Sequence, residues 1–347
     1  MRASGMEPLF AWRDRSMIPN LVVNAYRAGL CLLISLALAG CAAPFRVPTA
    51  SARHPIITDG YFTLASGQAL PYRDWLPKQP PRAVVLALHG FNDSRDAWAM
   101  PAPHLAAAGI AVFAPDQRGF GAAPGRGGWP GSARLVRDAR QMAAILHQRY
   151  PRVPLTLMGE SMGGAIGLVL GAQGDADIAS YVLISPAVWG GTALAWPLRA
   201  SLAIADTFVP WLRLTGRQAA VRASDNIPAL IAFSNDPLTI HATRIATLAG
   251  LTRLMGEAQA DCAKFAPAHA LILYGGHDQL IPKSAMAACW HALPNARTAY
   301  YKPDYHLMLL DHERATPTRD IIGFILHPDH PLGSDAATKA MIFTAQH

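Results

Sequence analysis

One serine in the sequence has surroundings that suit nucleophilic chemistry. Ser161 is the centre of the segment G-E-S-M-G-G at positions 159–164, between an apolar run at 155–158 and an apolar, glycine-containing stretch at 165–170. A strand, the pattern G-x-S-x-G and a helix in this order form a nucleophile elbow, a turn so tight that the serine lies in strained backbone with its hydroxyl exposed. Glycine is needed beside the serine because strand and helix nearly touch there. The context therefore predicts Ser161 as a nucleophile, whereas a simple glycine- and serine-containing loop would leave the apolar flanks unexplained.

A serine hydroxyl needs a base, and the base needs an orienting carboxylate, because the hydroxyl alone is a weak nucleophile near neutral pH. On an α/β sheet the three groups come in the order Ser, Asp or Glu, His, on loops at the carboxyl ends of successive strands. Asp278 follows the apolar strand pattern at 271–274, and His306 ends the loop after the last strand pattern, at 297–301. We therefore expect Asp278 to be the acid and His306 to be the base.

Several other polar residues compete for these roles. His312 lies further along the chain and is the alternative base, while Asp304 and Asp311 are alternative acids. Asp116 and Arg118 also follow a predicted strand, but we expect them to hold their loop through bonds from side chain to backbone.

Acyl transfer also requires two hydrogen-bond donors for the oxyanion. One comes from the backbone of the residue after the nucleophile, and the other from the loop after the third strand. In this sequence the two donors are the N–H groups of Met162 and Phe91. His89 and Gly90 turn the chain so that the Phe91 N–H can point into the cleft.

Strand and helix patterns alternate over most of the chain, which predicts a doubly wound, mostly parallel α/β sheet. Strands are expected at 61–65, 69–75, 83–88, 110–114, 155–158, 181–184, 271–274 and 297–301, and helices at 96–108, 133–149, 284–293 and 312–326. Between 188 and 266 the alternation stops, because two long helical patterns, at 196–214 and 239–256, have no strong strand between them. We expect this insertion to form a helical cap.

The N-terminal residues resemble a bacterial lipoprotein signal. Arginines occur within residues 1–27, and an uncharged apolar run at 28–39 leads to Gly40 and Cys41. The run would form about 18 Å of helix, too short for a hydrocarbon core of roughly 30 Å. A basic start, a short apolar run and small residues before a cysteine indicate cleavage before Cys41 and lipidation of this cysteine. An uncleaved membrane anchor is the alternative, and Met17 is an alternative start.

This interpretation places the protein in the bacterial cell envelope, anchored by lipid and facing the periplasm. The outer membrane is favoured, because Ala42 and Ala43 follow Cys41 without an acidic residue. In an oxidising periplasm Cys262 and Cys289 could form a disulfide, but two buried thiols are an equal alternative that the sequence leaves open.

Composition and charge narrow the range of partners. The 347 residues include 30 Lys or Arg and 23 Asp or Glu, but the basic residues are scattered, so no nucleic-acid surface is expected. No cysteine cluster of the metal-binding type occurs, and His327 and His330 flank a proline in the tail, so we expect no metal and no other cofactor. The oligomeric state is not determined by the sequence.

The motifs, taken in order, resemble those of the α/β-hydrolase superfamily. They are His89-Gly90-Phe91, the segment D-Q-R-G-F-G at 116–121, the elbow at 159–164, Gly276-His277-Asp278 with Pro282, and Tyr305-His306. The elbow form G-x-S-M-G-G is similar to that of the branch with monoacylglycerol lipases, lysophospholipases and serine aminopeptidases of the S33 type. The resemblance covers about residues 61–326. It implies Ser161 as nucleophile, Asp278 as acid and His306 as base, with the amides of Phe91 and Met162 as the oxyanion hole.

The expected organisation has six segments. They are a lipoprotein signal peptide at 1–40, a tether at 41–60, the first part of the hydrolase core at 61–187, a helical cap at 188–266, the second part of the core at 267–326, and a C-terminal tail at 327–347.

The resemblance implies a serine hydrolase that cleaves carboxylic esters of lipid-like substrates, of the monoacylglycerol or lysophospholipid type, through an acyl-enzyme. Its expected partners are a small acyl ester and, through lipidated Cys41, the membrane. A peptidase of aminopeptidase type or a thioesterase could use the same triad, since the fold hosts all of these reactions. A third hypothesis is an envelope lipoprotein that binds a ligand without catalysis, against which the complete Ser-Asp-His set argues.

Overall fold

The computed structural model describes residues 55–191, 194–215 and 221–347. The described strands are β1 (Ile56–Thr58), β2 (Tyr61–Thr63), β3 (Ala69–Trp75), β4 (Ala83–Leu88), β5 (Ile110–Pro115), β6 (Leu155–Glu160), β7 (Ser180–Ile184), β8 (Arg213–Thr215), β9 (Ala242–Arg244), β10 (Ala270–Gly275) and β11 (Arg297–Tyr301). Nine of them form one sheet in the order β1-β2-β3-β5-β4-β6-β7-β10-β11. Six of these strands are parallel to one another, namely β5, β4, β6, β7, β10 and β11. Strands β1, β2 and β3 add an antiparallel edge.

The described helices are α1 (Ala102–Ala107), α2 (Ser132–Arg149), α3 (Met162–Gln173), α4 (Trp196–Phe208), α5 (Ile227–Asn235), α6 (Ile245–Asp261), α7 (Lys283–Ala292), α8 (Ala315–Leu326) and α9 (Ala336–Gln346). Two separate apolar cores lie on the two faces of the sheet. Helices α1 and α8 contribute to one core, and α2, α3, α6, α7 and α9 contribute to the other.

Strands β4 and β5 are apolar throughout because both of their faces are covered. In β4 every residue is buried. Val84 and Leu86 belong to the core with α2 and α3, and Val85 and Ala87 belong to the core with α1 and α8, as the alternation of side chains along a strand requires. The predicted fold class, a doubly wound and mostly parallel sheet, is confirmed.

The segment between β7 and β10, where a helical cap is expected, contains α4, α5 and α6 and also a two-stranded ribbon. The predicted helix at 196–214 is wrong in its last six residues: the helix ends at Phe208, because Pro210 has no N–H to continue it. The chain then forms β8, which pairs antiparallel with β9, so the helix predicted at 239–256 begins only at Ile245.

Two other predicted boundaries also differ from the structure. Pro101 separates a short 3-10 helix, Arg95–Trp98, from α1, where one helix at 96–108 was expected. The predicted tether at 41–60 includes β1, which pairs with β2 in the sheet.

The predicted tail at 327–347 contains α9, which packs against the core. Phe343 of α9 is buried, and its ring stacks on that of Tyr300 with the centroids 4.7 Å apart. Within the described ranges, no helix combines the length and the apolar character that crossing a membrane demands.

Candidate active site

Ser161 lies between the end of β6 and the start of α3, as the elbow motif predicts. Its φ of 52° and ψ of −111° are in a left-handed region that strains a residue with a Cβ. Its N–H donates to the carbonyl of Ile184 at 2.9 Å, which ties the turn to the neighbouring strand β7. A Cβ at Gly159 would overlap the backbone of Gly163, and a Cβ at Gly163 would overlap the carbonyl of Leu88. The requirement for glycine around the serine is confirmed.

Asp278 and His306 are in direct contact. The Nδ1 atom of His306 lies 2.8 Å from Oδ2 of Asp278, and both side chains are buried. The other carboxylate oxygen, Oδ1, accepts the N–H groups of Leu280 at 2.8 Å and Ile281 at 3.0 Å. Because those two donors hold Oδ1 in place, Oδ2 accepts the Nδ1–H of His306, which leaves Nε2 of the neutral ring able to accept a proton.

The two loops that carry this pair follow the adjacent parallel strands β10 and β11. Two backbone hydrogen bonds join these loops. The N–H of Gly276 donates to the carbonyl of Tyr301 at 2.8 Å, and the N–H of His277 donates to the backbone carbonyl of Asp304 at 2.9 Å. The elbow follows β6 in the same parallel set, so all three loops emerge at the carboxyl edge of the sheet, the edge where α/β proteins bind ligands.

The charge of its surroundings favours a protonated His306. Burial lowers the pKa of His306, but the charge and the hydrogen bond of Asp278 together with the charges of Glu160 and Asp311 outweigh the effect of burial. The pKa of His306 therefore lies above the ordinary value of a histidine. A raised pKa suits a base that must hold a proton after taking it from a hydroxyl.

Glu160, the residue between Gly159 and Ser161, was not assigned a role from the sequence. Its carboxyl is buried, and none of the described residues forms a hydrogen bond with its side chain. Burial raises the pKa of Glu160 to about 7, although the charge of His306 opposes that shift. The signal that could have identified it is its position in the elbow, where the residue before the nucleophile must be buried at the end of β6.

The loop after β4 passes directly beside Ser161, since a Cβ at Gly90 would lie 3.5 Å from the Cβ of Ser161. In this loop the N–H of Phe91 makes no hydrogen bond with any described residue. Met162 is the first residue of α3, so its N–H has no acceptor within the helix. Both amides predicted for the oxyanion hole are therefore available to a ligand.

His89 holds the loop that carries Phe91. The ring is completely buried: its Nε2 accepts the N–H of Gln117 at 3.0 Å, and its Nδ1–H donates to the carbonyl of Gly90 at 2.7 Å. The Gln117 side chain donates back to the carbonyl of His89 at 2.8 Å. Burial lowers the pKa of His89, which keeps the ring neutral and able to accept one bond while donating the other.

Among the described residues, neither alternative acid forms a hydrogen bond with His306, and the alternative base forms none with Asp278. His312 is exposed, and its backbone N–H donates to Asp225. Asp304 is buried without a partner for its Oδ1, and burial raises the pKa of Asp304 to about 7.

Asp311 joins the base loop to the insertion. Its Oδ2 accepts the N–H of Tyr305, the residue before His306, at 2.6 Å, and its Oδ1 accepts the hydroxyl of Ser224 at 2.5 Å. The N–H of Leu307 also donates to the insertion, to the carbonyl of Ala223 at 2.8 Å. The position of His306 is therefore coupled to the segment around Ser224, a link that no local sequence pattern reveals.

The expected structural role of Asp116 is confirmed, because its carboxylate accepts the backbone N–H groups of Arg95 and Ala122, each at 2.7 Å. Arg118 instead forms a buried ion pair with Asp138 at 2.7 Å.

Cys262 and Cys289, for which the sequence left two alternatives, form a disulfide that joins the end of α6 to α7. Among the described residues, no group of three His, Cys, Asp or Glu side chains is arranged to hold a metal ion. Cys41, the predicted lipidation site, and the signal peptide lie outside the described residues.

A mostly parallel sheet with a strained serine elbow and a buried aspartate–histidine pair at its carboxyl edge is the architecture of an enzyme of the α/β-hydrolase class that uses a serine. A family model described as serine aminopeptidase, S33, matches residues 79–313, two thirds of the chain. The chain belongs to this family.

Two relatives and one solved structure illustrate the similarity. The chain is 26% identical over 269 residues to a monoacylglycerol lipase from Mycolicibacterium smegmatis, covering 76% of this chain and 95% of the relative. It is 32% identical over 180 residues to the monoglyceride lipase of Rattus norvegicus, covering 51% of this chain and 59% of the relative. A soluble variant of monoglyceride lipase from Saccharomyces cerevisiae, in complex with a substrate analog, has a TM-score of 0.64 at 19% identity over 81% of this chain and 97% of that one.

Proposed function

We propose that this protein hydrolyses carboxylic esters of lipid-like substrates, of the monoacylglycerol or lysophospholipid type, through an acyl-enzyme formed on Ser161. The observation that carries the proposal is the buried Asp278–His306 contact at the sheet edge where the Ser161 elbow emerges. The names of the relatives, monoacylglycerol lipase and monoglyceride lipase, support the substrate class.

In the first step, Nε2 of His306 takes the proton of the Ser161 hydroxyl while the oxygen attacks the ester carbonyl carbon. The carbonyl oxygen becomes an anion and accepts the N–H groups of Phe91 and Met162. When the tetrahedral intermediate collapses, the bond to the alcohol breaks, and His306 gives its proton to the leaving oxygen. Asp278 keeps the proton of the neutral ring on Nδ1 and stabilises the imidazolium that forms in between.

In the second step, water replaces the alcohol. His306 accepts a proton from the water as its oxygen attacks the acyl carbon, and the same two amides hold the second oxyanion. Collapse breaks the bond to Ser161, which regains its proton from His306, and the fatty acid leaves as a carboxylic acid. The atoms balance with one water consumed for each ester cleaved.

A peptidase is the second candidate, and the description of the family model, serine aminopeptidase, favours it. The same triad can attack an amide or a thioester, so the reacting bond is decided by the pocket and not by the fold. We further propose that Cys41 is lipidated after cleavage of residues 1–40, which would hold the enzyme on the periplasmic side of a bacterial envelope membrane, with the outer membrane favoured.

The test is a series of nitrophenyl esters of increasing acyl-chain length, with aminoacyl amides and acyl thioesters assayed alongside. Ser161→Ala should lower kcat on the best ester by at least about 10^4-fold, because the nucleophile is lost. Ser185→Ala is the matched control, since Ser185 also has a positive φ, 42°, at the end of the neighbouring strand, and it should retain activity.

A fluorophosphonate probe should label the wild type and not the Ser161 variant. Turnover of amides without turnover of esters would replace the esterase by a peptidase. Equal ester hydrolysis by wild type and Ser161→Ala would refute the mechanism, and a folded wild type that the probe does not label would favour a binding protein without catalysis.

A further inference from the structure

A short segment of the insertion lies against both loops that carry the aspartate–histidine pair. We call residues 222–226, which directly precede α5, the strap segment. The backbone N–H of Arg222 donates to Oε1 of Gln279 at 2.9 Å, beside Asp278 in the loop after β10. The guanidinium carbon of Arg222 also lies 5.6 Å from the centre of the ring of Tyr305, in the loop after β11. The strap segment therefore spans the two loops that meet at the active site.

Besides Ser224, three residues of the strap segment form hydrogen bonds with the loop after β11. The bonds join the N–H of Leu307 to the carbonyl of Ala223 at 2.8 Å, the N–H of His312 to Oδ1 of Asp225 at 2.9 Å, and the side-chain NH2 of Asn226 to the carbonyl of Leu310 at 2.8 Å. The Asn226 side chain also accepts the N–H of Ala229 at 3.3 Å, which caps the start of α5. The first turn of α5 is thereby joined to the loop that carries His306.

Asp311 is at the centre of these contacts, and its carboxylate is shared between the loop after β11 and the strap segment. Its Oδ2 accepts the N–H of Tyr305 at 2.6 Å, and its Oδ1 accepts the hydroxyl of Ser224 at 2.5 Å and the N–H of Asp225 at 3.3 Å. The Ser224 oxygen in turn accepts the N–H of Asn226 at 3.1 Å. Asp311 and Ser224 are both completely buried, so neither side chain is exposed to a ligand.

These bonds hold the backbone on both sides of His306. The N–H of Tyr305, the residue before it, is bonded to Asp311, and the N–H of Leu307, the residue after it, is bonded to the strap segment. The direction of Nε2 depends on this backbone, because the imidazole ring is attached to it by two rotatable bonds. A misplacement of about 1 Å at a reacting group can cost roughly 100-fold in rate. Bonds to a carboxylate are stronger than bonds between neutral groups, which suits them to prevent such a shift.

We propose that Asp311 and Ser224 are positioning residues for His306. They hold the loop after β11 where Nε2 of His306 reaches the hydroxyl of Ser161, and through the strap segment they make that position depend on the insertion. Asp311 is not a second acid of the triad, since the ring of His306 is bonded to Asp278. The inference rests on the proposed function, in which His306 is the base. It predicts an effect on kcat and none on KM, because the two side chains contact the loop and not the substrate.

The experiment measures kcat and KM of the purified full chain on a soluble short-chain ester, with the active sites counted by complete fluorophosphonate labelling. Ser224→Ala should lower kcat per active site by about tenfold, as for the loss of one hydrogen bond to a charged group, and Asp311→Ala by about 100-fold, both at unchanged KM. A merely structural role would lower the number of active sites and the melting temperature, but not kcat per site. Ser180→Ala is the matched control and should keep the wild-type kcat, since Ser180 is a buried serine at the start of β7 whose hydroxyl shares a hydrogen bond of 2.8 Å with Thr156.

The conservative variant Asp311→Asn tests the same contacts with little change in shape. Its single side-chain oxygen can still accept the N–H of Tyr305, and its NH2 group can donate to the oxygen of Ser224. This variant should therefore recover kcat to within about tenfold of wild type. The double variant Ser224→Ala/Asp311→Ala should lose little more than Asp311→Ala alone, because effects that act through one contact are not additive.

A second readout needs no turnover. It is the proton resonance of the Nδ1–H of His306 in its hydrogen bond with Asp278, observed by NMR. Asp278→Asn assigns this resonance by removing it, because Nδ1 then accepts a bond and carries no proton. Ser224→Ala and Asp311→Ala should shift or broaden the resonance, whereas Ser180→Ala should leave it in place.

Unchanged kcat per active site in Ser224→Ala and Asp311→Ala would overturn the proposal. Losses that multiply in the double variant, or a raised KM at constant kcat, would overturn it as well. If the wild type neither hydrolyses an ester nor reacts with the probe, the proposed function fails, and the resonance decides about the positioning. A resonance that moves in both variants supports it, and one that stays in place in both overturns it.

Discussion

The substitution Asp278→Asn tests the acid–base pair with almost no change in shape. In the structure, Oδ1 of Asp278 accepts two backbone N–H groups, those of Leu280 and Ile281. An asparagine must keep its single oxygen at that position, because its NH2 group cannot accept those bonds. Its NH2 group then occupies the place of Oδ2, 2.8 Å from Nδ1 of His306.

This geometry reverses the tautomer of the base. Facing an NH2 donor, Nδ1 of His306 must accept, so the proton of the neutral ring moves to Nε2, the atom that has to receive the proton of Ser161. A wrong tautomer at the base of a serine triad lowers kcat by about 10^4-fold. At about 1.4 kcal/mol for each factor of ten, the loss amounts to roughly 5 kcal/mol of transition-state stabilisation.

The assay is kcat on a soluble short-chain ester over a range of pH, together with the rate of fluorophosphonate labelling and the melting temperature. Because the Asp278 charge raises the pKa of His306, its removal should also move the acidic limb of the pH profile to lower pH. Asp304→Asn is the matched control, since Asp304 is a buried aspartate of the same loop whose carboxyl forms no hydrogen bond with a histidine of the described residues, and the kcat of this variant should stay within tenfold of wild type. A loss below tenfold in folded Asp278→Asn, or an equal loss in Asp304→Asn, would refute the assignment of the pair.

Three further predictions follow from the same structure. Glu160→Gln removes a buried carboxyl that raises the pKa of His306 when it is ionised, and because the pKa of Glu160 is itself about 7, the acidic limb of kcat against pH should move only slightly to lower pH; a limb that moves upward would contradict the placement of this carboxyl. Replacing Cys262 and Cys289 together with alanine opens a loop of 27 residues, which should lower the free energy of unfolding by about 3.5 kcal/mol and Tm by about 6 °C in a thermal melt, whereas an unchanged Tm would mean that the disulfide is absent. Gly163→Ala places a methyl group against the Leu88 carbonyl, so the purified variant should lose labelling by the fluorophosphonate probe and melt at lower temperature, and wild-type labelling would show that the elbow is looser than described.

Local patterns in the sequence were sufficient for the features that local geometry controls. The elbow could be recognised because a strand, a serine in strained backbone and a helix need glycine at the points of closest approach, and those glycines can be read directly. The parallel core could be recognised because a strand with both faces covered, such as β4, is a near-continuous apolar run. Prolines that end a helix can also be read from the sequence. The helix predicted at 196–214 nevertheless runs through Pro210, and for this reason the prediction does not contain the short strand β8.

Tertiary structure alone decided which distant side chains meet. The sequence offered three aspartates and two histidines for the acid and the base, and only the folded loops after β10 and β11 bring Asp278 and His306 into contact. The pairing of Cys262 with Cys289, the buried carboxyl of Glu160 and the link from Asp311 to Ser224 likewise depend on contacts between segments far apart in the chain.

Helix α4 shows the same difference between what the sequence predicts and what only the tertiary structure decides. The sequence indicates a helix rich in apolar residues, but apolar residues on a helix ordinarily face a core. Only the packing of α4 against α6 shows that Leu202 and Asp206 face inward while Trp196, Ile204 and Phe208 face outward. The physical reason is that local sequence sets the conformation of a segment within a few residues, whereas burial and partners are set by the elements that pack against it, and these are separated from it by tens of residues along the chain.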